Sequence, residues 1–195
     1  AEILSAFERG DFNLLAGTQM VAKGHDFPKV TVVGVLGADS ILAMPDYRAA
    51  ERAFQLVTQV AGRAGRGVDP GEVLVQAYQP DPYAMQSACR QNYDEFYEKE
   101  IRFRRLMKYP PFVVMANVII AAGSHEAGVR RATRTGEVVA DVLGPGMQMI
   151  GPAVAPLARL KGRHRFQILI KAGARRALSD MLHEAARRLA VEGLA

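Results

Sequence analysis

The 195-residue sequence predicts an α/β protein in two parts, a mostly parallel α/β half followed by a small α+β domain. Three observations carry this. Strand-like and helix-like segments alternate before Pro110-Pro111, where the chain cannot continue a helix. After it the order becomes β-α-β-β-α, the split-βαβ pattern short of one strand. The charge also changes sign there: residues 1–105 hold 12 Lys/Arg against 14 Asp/Glu, and residues 106–195 hold 13 against 6.

In the first half, residues 1–8 read as the end of a helix. Residues 13–16 (NLLA) form a short apolar run, and residues 31–36 (TVVGVL) a β-branched buried strand. Asp46 is placed to cap a helix running to about Ala61, stopped by the glycine-rich GRAGRG. Residues 72–78 (EVLVQAY) are a second strand. Asp81-Pro82 supplies a cap and a first-turn proline for one long helix reaching about Met107. Within it, Tyr93, Phe96, Tyr97 and Phe103 share a face that reads as core packing.

In the second half, strands are expected at 112–121, 147–154 and 163–171, with helices at 124–143, capped by Ser124, and at 175–190. A fourth strand would complete the pattern, so both ends of the chain read as cut from a longer protein.

Composition limits the class of protein. With 49% apolar and 23% charged residues the chain is not disordered. No apolar run reaches the roughly 18 residues of a membrane span, and no secretory signal opens the sequence. The lone Cys89 excludes an internal disulfide and a multi-thiolate zinc site, and the four histidines lack ligand spacing. A cytoplasmic protein without membrane partners is the expectation, and the positive second half implies an anionic partner, nucleic acid first.

Two segments of the first half carry candidate chemistry. In residues 17–28 (GTQMVAKGHDFP) a strand runs into a Gly-Thr turn, whose amides and hydroxyl suit phosphate. Gly24 permits close approach to a ligand, and Asp26 can accept from a ribose hydroxyl. In residues 59–66 (QVAGRAGR) Arg63 and Arg66 lie three apart, two guanidinium forks suited to a phosphate in transfer. A strand-to-helix turn and a solvated basic helix end would carry the same residues. The pair, with Gln59 placed 41 residues after Thr18, is more specific than either alone.

On these two motifs the sequence resembles the second motor lobe of superfamily-two helicases. With PDYRAAERAFQLVTQVAGRAGR, GEVLVQAYQPD, YPPF and IGPAVAPLARLKGRHRFQILIK it is similar to the primosomal protein N′ family, bacterial DNA helicases that restart stalled forks.

The resemblance implies that residues 1–109 are the C-terminal part of a RecA-like lobe. Arg63 and Arg66 would reach the nucleotide γ-phosphate, Gln59 would orient the cleft, and Asp26 with Gly24 would meet the nucleotide. Thr18, Gln19 and Lys23 would contact DNA. Residues 110–195 would be a ribosomal S-ten-like domain that binds DNA and partners. The resemblance further implies a parent with ATP-dependent 3′→5′ unwinding, serving branched or single-stranded DNA and other primosome proteins.

No GxxxxGK[ST] phosphate loop, DExH box or cysteine-rich zinc insert is present. ATP, Mg²⁺ and zinc are therefore expected to belong to upstream parts, with none bound to this chain and no hydrolysis by it alone. The rival class is a non-catalytic DNA- or RNA-binding adaptor, in which the motor remnant is scaffold.

The basic tail adds its own candidates. From Arg159 to Arg176 there are seven Lys/Arg and no acids. In the strand 163–171 the period of two sends His164, Phe166, Ile168 and Ile170 one way, and Arg163, Arg165, Gln167, Leu169 and Lys171 the other. That second face suits a DNA backbone, expected of Arg165 and Lys171, or an acidic peptide ending in an apolar residue. By the resemblance, Arg163 and Gln167 receive the acidic tail of single-stranded-DNA-binding protein.

Overall fold

The computed structural model describes residues 2–18, 27, 29–62, 64 and 71–193. The chain is mixed α/β with two small sheets and divides into compact units, residues 1–100 and 101–195.

The first unit opens with α1 (Glu2–Arg9). Strand β1 (Val32–Val35) pairs in parallel with β2 (Glu72–Val75), Val32 opposite Glu72 and Val35 opposite Val75. A one-turn 3-10 helix (Ala38–Ile41) and α2 (Ala49–Ala61) lie between them in sequence. Helix α2 begins three residues after Asp46. The Asp46 carboxylate instead accepts the Arg48 amide at 3.0 Å and pairs with Arg52 at 2.9 Å, bracing the turn ahead of the helix.

The single helix expected from Asp81-Pro82 to Met107 is two helices, α3 (Tyr83–Cys89) and α4 (Tyr93–Leu106). Gln91 takes a left-handed φ of 52°, and the Asn92 side chain caps the next helix by accepting the Glu95 amide at 3.0 Å. An asparagine that bonds forward in this way offers the backbone a fresh start, so the turn competes successfully with continuation. The aromatic face also differs from expectation. Phe96 is buried and stacks on Phe54 with ring centroids 4.3 Å apart, whereas Tyr93, Tyr97 and Phe103 are exposed. Core residues come instead from Val35, Ala53, Phe54, Val57, Met85 and Phe96.

The second unit is an antiparallel sheet in the order β3-β5-β4. Its elements are β3 (Val114–Ala122), α5 (His125–Asp141), β4 (Gln148–Leu160), β5 (Arg163–Ala172) and α6 (Arg175–Val191). Ser124 caps α5 by accepting the Ala127 amide at 3.2 Å. The two helices supply Ala132, Val138, Val139, Leu178, Met181, Ala185 and Leu189 to one core. Against them the sheet turns Ile120, Phe166, Ile168 and Ile170, which a period of two places on a single face.

Close helix-to-sheet approach rests on Gly128: a Cβ there would lie 2.3 Å from the Phe166 ring. Gly151 (φ 104°) is likewise obligatory, since a Cβ would sit 2.8 Å from the Gln167 carbonyl oxygen. It begins the first irregularity of β4, between Ile150 and Ala153.

Candidate nucleic-acid interface

In the first unit the two parallel strands end side by side, the kind of edge at which α/β sheets hold ligands. The chain leaves β1 through Gly37, left-handed at φ 61°. Its amide donates to Gln76 Oε1 at 2.8 Å. The Asp39 carboxylate accepts both the Tyr78 and the Gln79 amides at 2.9 Å, tying the loop after β1 to the loop after β2. A carboxylate 39 and 40 residues from its partners carries no local sequence signal of this clamp.

Gln59 is exposed on the last turn of α2, between the buried Val57 and Val60, so its amide group points away from the core. Thr18 is exposed and lies outside any helix or strand. Gln19, Lys23, Gly24, Asp26, Arg63 and Arg66 lie outside the described residues. Among the described residues no three His, Cys, Asp or Glu side chains gather as metal ligands.

In the second unit β5 carries the predicted alternation, with Phe166, Ile168 and Ile170 buried on the helix side. On the other face Arg163 is exposed and donates to the Ala121 carbonyl at 2.9 Å. Arg165 reaches the Leu157 carbonyl at 3.5 Å, and Gln167 Oε1 accepts from Asn117 at 3.3 Å. Leu169 sits between Asn117 and Ile150 in the register, giving an apolar spot beside these polar groups.

Lys171 departs from that row. It is 7% exposed, its ammonium donates to the Met107 carbonyl at 2.9 Å and lies 4.1 Å from the centre of the Tyr109 ring. Burial, and then the nearby charge of Lys108, hold it below the ordinary lysine range. An ammonium covered in this way fastens the turn at 107–109 to the sheet and presents no open charge to a phosphate. Alternation sets the face of a side chain, and only tertiary contacts show what covers that face.

Charge pairing separates the helices from the hairpin. On the helices Arg130 pairs with Glu126, Arg134 with Glu137 and Glu192, and Arg187 and Arg188 with Glu184. The two Glu184 neighbours hold its carboxyl down at about 2. Arg159, Lys161, Arg163 and Arg165, around the β4–β5 turn, pair with no carboxylate among the described residues. The sequence accounts for this, having no acid between Asp141 and Asp180.

Fold and charge together define the class: a mixed α/β protein of two units, in which one hairpin carries four cations that pair with no carboxylate among the described residues. Residues 105–193 match the family described as Primosomal protein N C-terminal domain. The chain is 45% identical over 185 residues to the Replication restart protein PriA of Bacillus subtilis (strain 168), covering 93% of this chain and 22% of that one. It is 41% identical over 170 residues to the protein of that name from Synechocystis, covering 87% and 20%. The Haemophilus influenzae protein of that name is 35% identical over 181 residues, covering 93% and 25%. The chain belongs to the family of these proteins. It spans about a fifth to a quarter of the length of the three relatives named here.

Proposed function

We propose that this chain serves replication restart, as part of an ATP-dependent 3′→5′ DNA helicase that rebuilds stalled forks and directs primosome assembly in the bacterial cytoplasm. The observation that supports the DNA role is the set of hairpin cations that have no carboxylate partner among the described residues. Four guanidinium or ammonium groups on one hairpin match the charge of a phosphate backbone.

In this reading residues 1–109 are the C-terminal part of a RecA-like motor lobe. The parallel pairing of β1 with β2 and the Asp39 clamp at their ends support it. Bound ATP with Mg²⁺ would supply the phosphoryl-transfer chemistry. This chain would contribute Arg63 and Arg66 toward the γ-phosphate, Gln59 at the end of α2, and Asp26 and Gly24 toward the nucleotide. Thr18, Gln19 and Lys23 would meet the DNA strand. With no phosphate loop in its sequence, the 195-residue chain alone is expected to hydrolyse no ATP. DNA-stimulated hydrolysis by the pure chain would refute that assignment.

The DNA role is tested by titrating forked and single-stranded DNA at several salt concentrations. A slope of log Kd against log salt equivalent to about three or four neutralised phosphates is expected. No binding at low salt would refute it.

The outer face of β5 favours a second ligand. Arg163 and Gln167 stand beside Leu169 and the exposed Ile150, a polar pair next to an apolar spot. This combination suits an acidic peptide with an apolar terminus, here the tail of single-stranded-DNA-binding protein. Loss of peptide binding in Arg163→Ala and Gln167→Ala is expected; unchanged affinity in both would remove the peptide.

A further inference from the structure

The β4–β5 hairpin has more on it than charge. Leu160 and Arg163 are paired, so the turn is the two residues Lys161 and Gly162, both left-handed at φ 48° and 79°. Such a turn favours Asn-Gly or Gly-Gly, because each central residue needs a positive φ. A lysine there is held in a backbone conformation it rarely adopts, and strain of this kind is kept where a side chain has work at that point.

The strand leading into the turn is also unusual. Between the pairs Val154–Phe166 and Arg159–His164, the four residues Ala155–Ala158 of β4 stand opposite Arg165 alone. The bulge puts Pro156 and Leu157 outward, and Arg165 donates to the Leu157 carbonyl within it. Leu157 is 52% exposed and Leu160 is 47% exposed. Two leucines therefore project at a hairpin end, flanked by Arg159, Lys161, Arg163 and Arg165. No carboxylate neutralises any of these four among the described residues.

Leucines at a hairpin end, raised between cations, do not suit a peptide side chain, which needs a recess. They suit a gap between bases. Apolar residues presented by β-ribbons enter base steps while neighbouring cations hold the flanking phosphates. We propose that this hairpin is a wedge for DNA at the point where a duplex opens, with Leu157 and Leu160 against the last base pair and the four cations on the two backbones. The proposal rests on the DNA reading given above and names the part of the DNA that this arm engages.

The test uses the 195-residue chain and a forked DNA carrying 2-aminopurine at the first paired position beside the junction. Binding of the parent chain should raise the fluorescence, since the probe brightens when unstacked. Leu157→Ser with Leu160→Ser should abolish the rise while leaving affinity within about threefold, because phosphate contacts dominate binding.

Lys161→Gly should weaken fork binding and lower the salt slope by about 0.7 to 0.9. Its thermal midpoint should equal or exceed that of the parent, because glycine relieves the turn. A merely structural lysine would not separate affinity from stability in this way. If the parent binds the fork with no change in fluorescence, or the leucine variant keeps the rise, the wedge is wrong and the DNA reading survives. If Lys161→Gly alters only the binding of an acidic peptide, the hairpin is a peptide site and the wedge is again wrong. Absence of any DNA binding overturns both.

Discussion

Gly128→Ala sets two ordinary effects against each other. Alanine is favoured over glycine inside a helix by about 1 kcal/mol, so propensity alone predicts a more stable protein. The structure predicts the reverse. The added Cβ would lie 2.3 Å from Phe166 Cε2, 3.0 Å from Cδ2 and 3.3 Å from Cζ. Ordinary carbon contacts begin near 3.5 Å, so ring and helix must separate by about 1.2 Å. Phe166 is 5% exposed with the His125 ring 5.5 Å away, which leaves it little freedom to retreat.

Forced overpacking of this kind costs about 1–3 kcal/mol, and the severity of the clash points to the upper end. Against the propensity gain, a net loss of about 2 kcal/mol is expected. For a unit of about 95 residues that lowers the melting temperature by about 8–16 °C. The assay is thermal unfolding of the whole chain, with hydrogen exchange on α5 and β5 peptides to assign the change to the second unit. Phe166→Leu in the same background should recover part of the loss, a coupling of about 0.5–3 kcal/mol expected of residues in contact. A higher melting temperature for Gly128→Ala, or strict additivity of the two changes, would refute the close approach.

Four further outcomes follow from the structure. Lys171→Ala removes a charged hydrogen bond and a cation–π contact, and should cost about 2–4 kcal/mol in urea unfolding. Lys171 is held below its unfolded value of about 10.5, so the unfolded chain binds more protons in that interval; stability should rise as pH climbs through it, and Lys171→Met should flatten the rise. Asp39→Ala leaves the Tyr78 and Gln79 amides without their acceptor, and faster hydrogen exchange at both is expected, with Asp39→Asn intermediate. The Glu184 carboxyl sits at about 2 against 4.5 unfolded, so its stabilisation is full above 4.5 and lost as pH falls toward 2; Glu184→Gln should shrink that acid loss in a pH-melting series.

The order of elements after Pro110 was legible because it rests on local rules. Ser124 caps its helix, the apolar residues of β5 alternate, and a run without acids remains basic wherever it folds. Before Pro110 the same rules fared less well. Asp81-Pro82 and a helical pattern predicted one helix, but the forward bond from Asn92 breaks it, and that bond depends on Gln91 accepting a left-handed turn. The shared aromatic face of α4 was a true periodicity, but of its four rings Phe96 alone is buried, stacked on Phe54, while Tyr93, Tyr97 and Phe103 make their ring contacts at the surface. In the candidate site, Arg163, Arg165 and Gln167 lie on the face that alternation assigned, whereas covering of Lys171 by residues 107–109 depends on a contact 64 residues apart.

By itself the sequence determined the strand and helix order of the second half, the face of β5 that carries the polar residues, and the surplus of positive charge. These follow from period, capping and composition, which act over a few residues. Tertiary structure decided which charges stay open. It pairs Arg130, Arg134, Arg187 and Arg188 with glutamates, buries the Lys171 ammonium under a carbonyl and a ring, and leaves Arg159, Lys161, Arg163 and Arg165 without carboxylates among the described residues, beside two exposed leucines. The reason is physical: a charge is available to a partner only when no nearer opposite charge or covering group has claimed it, and those neighbours come from elsewhere in the chain.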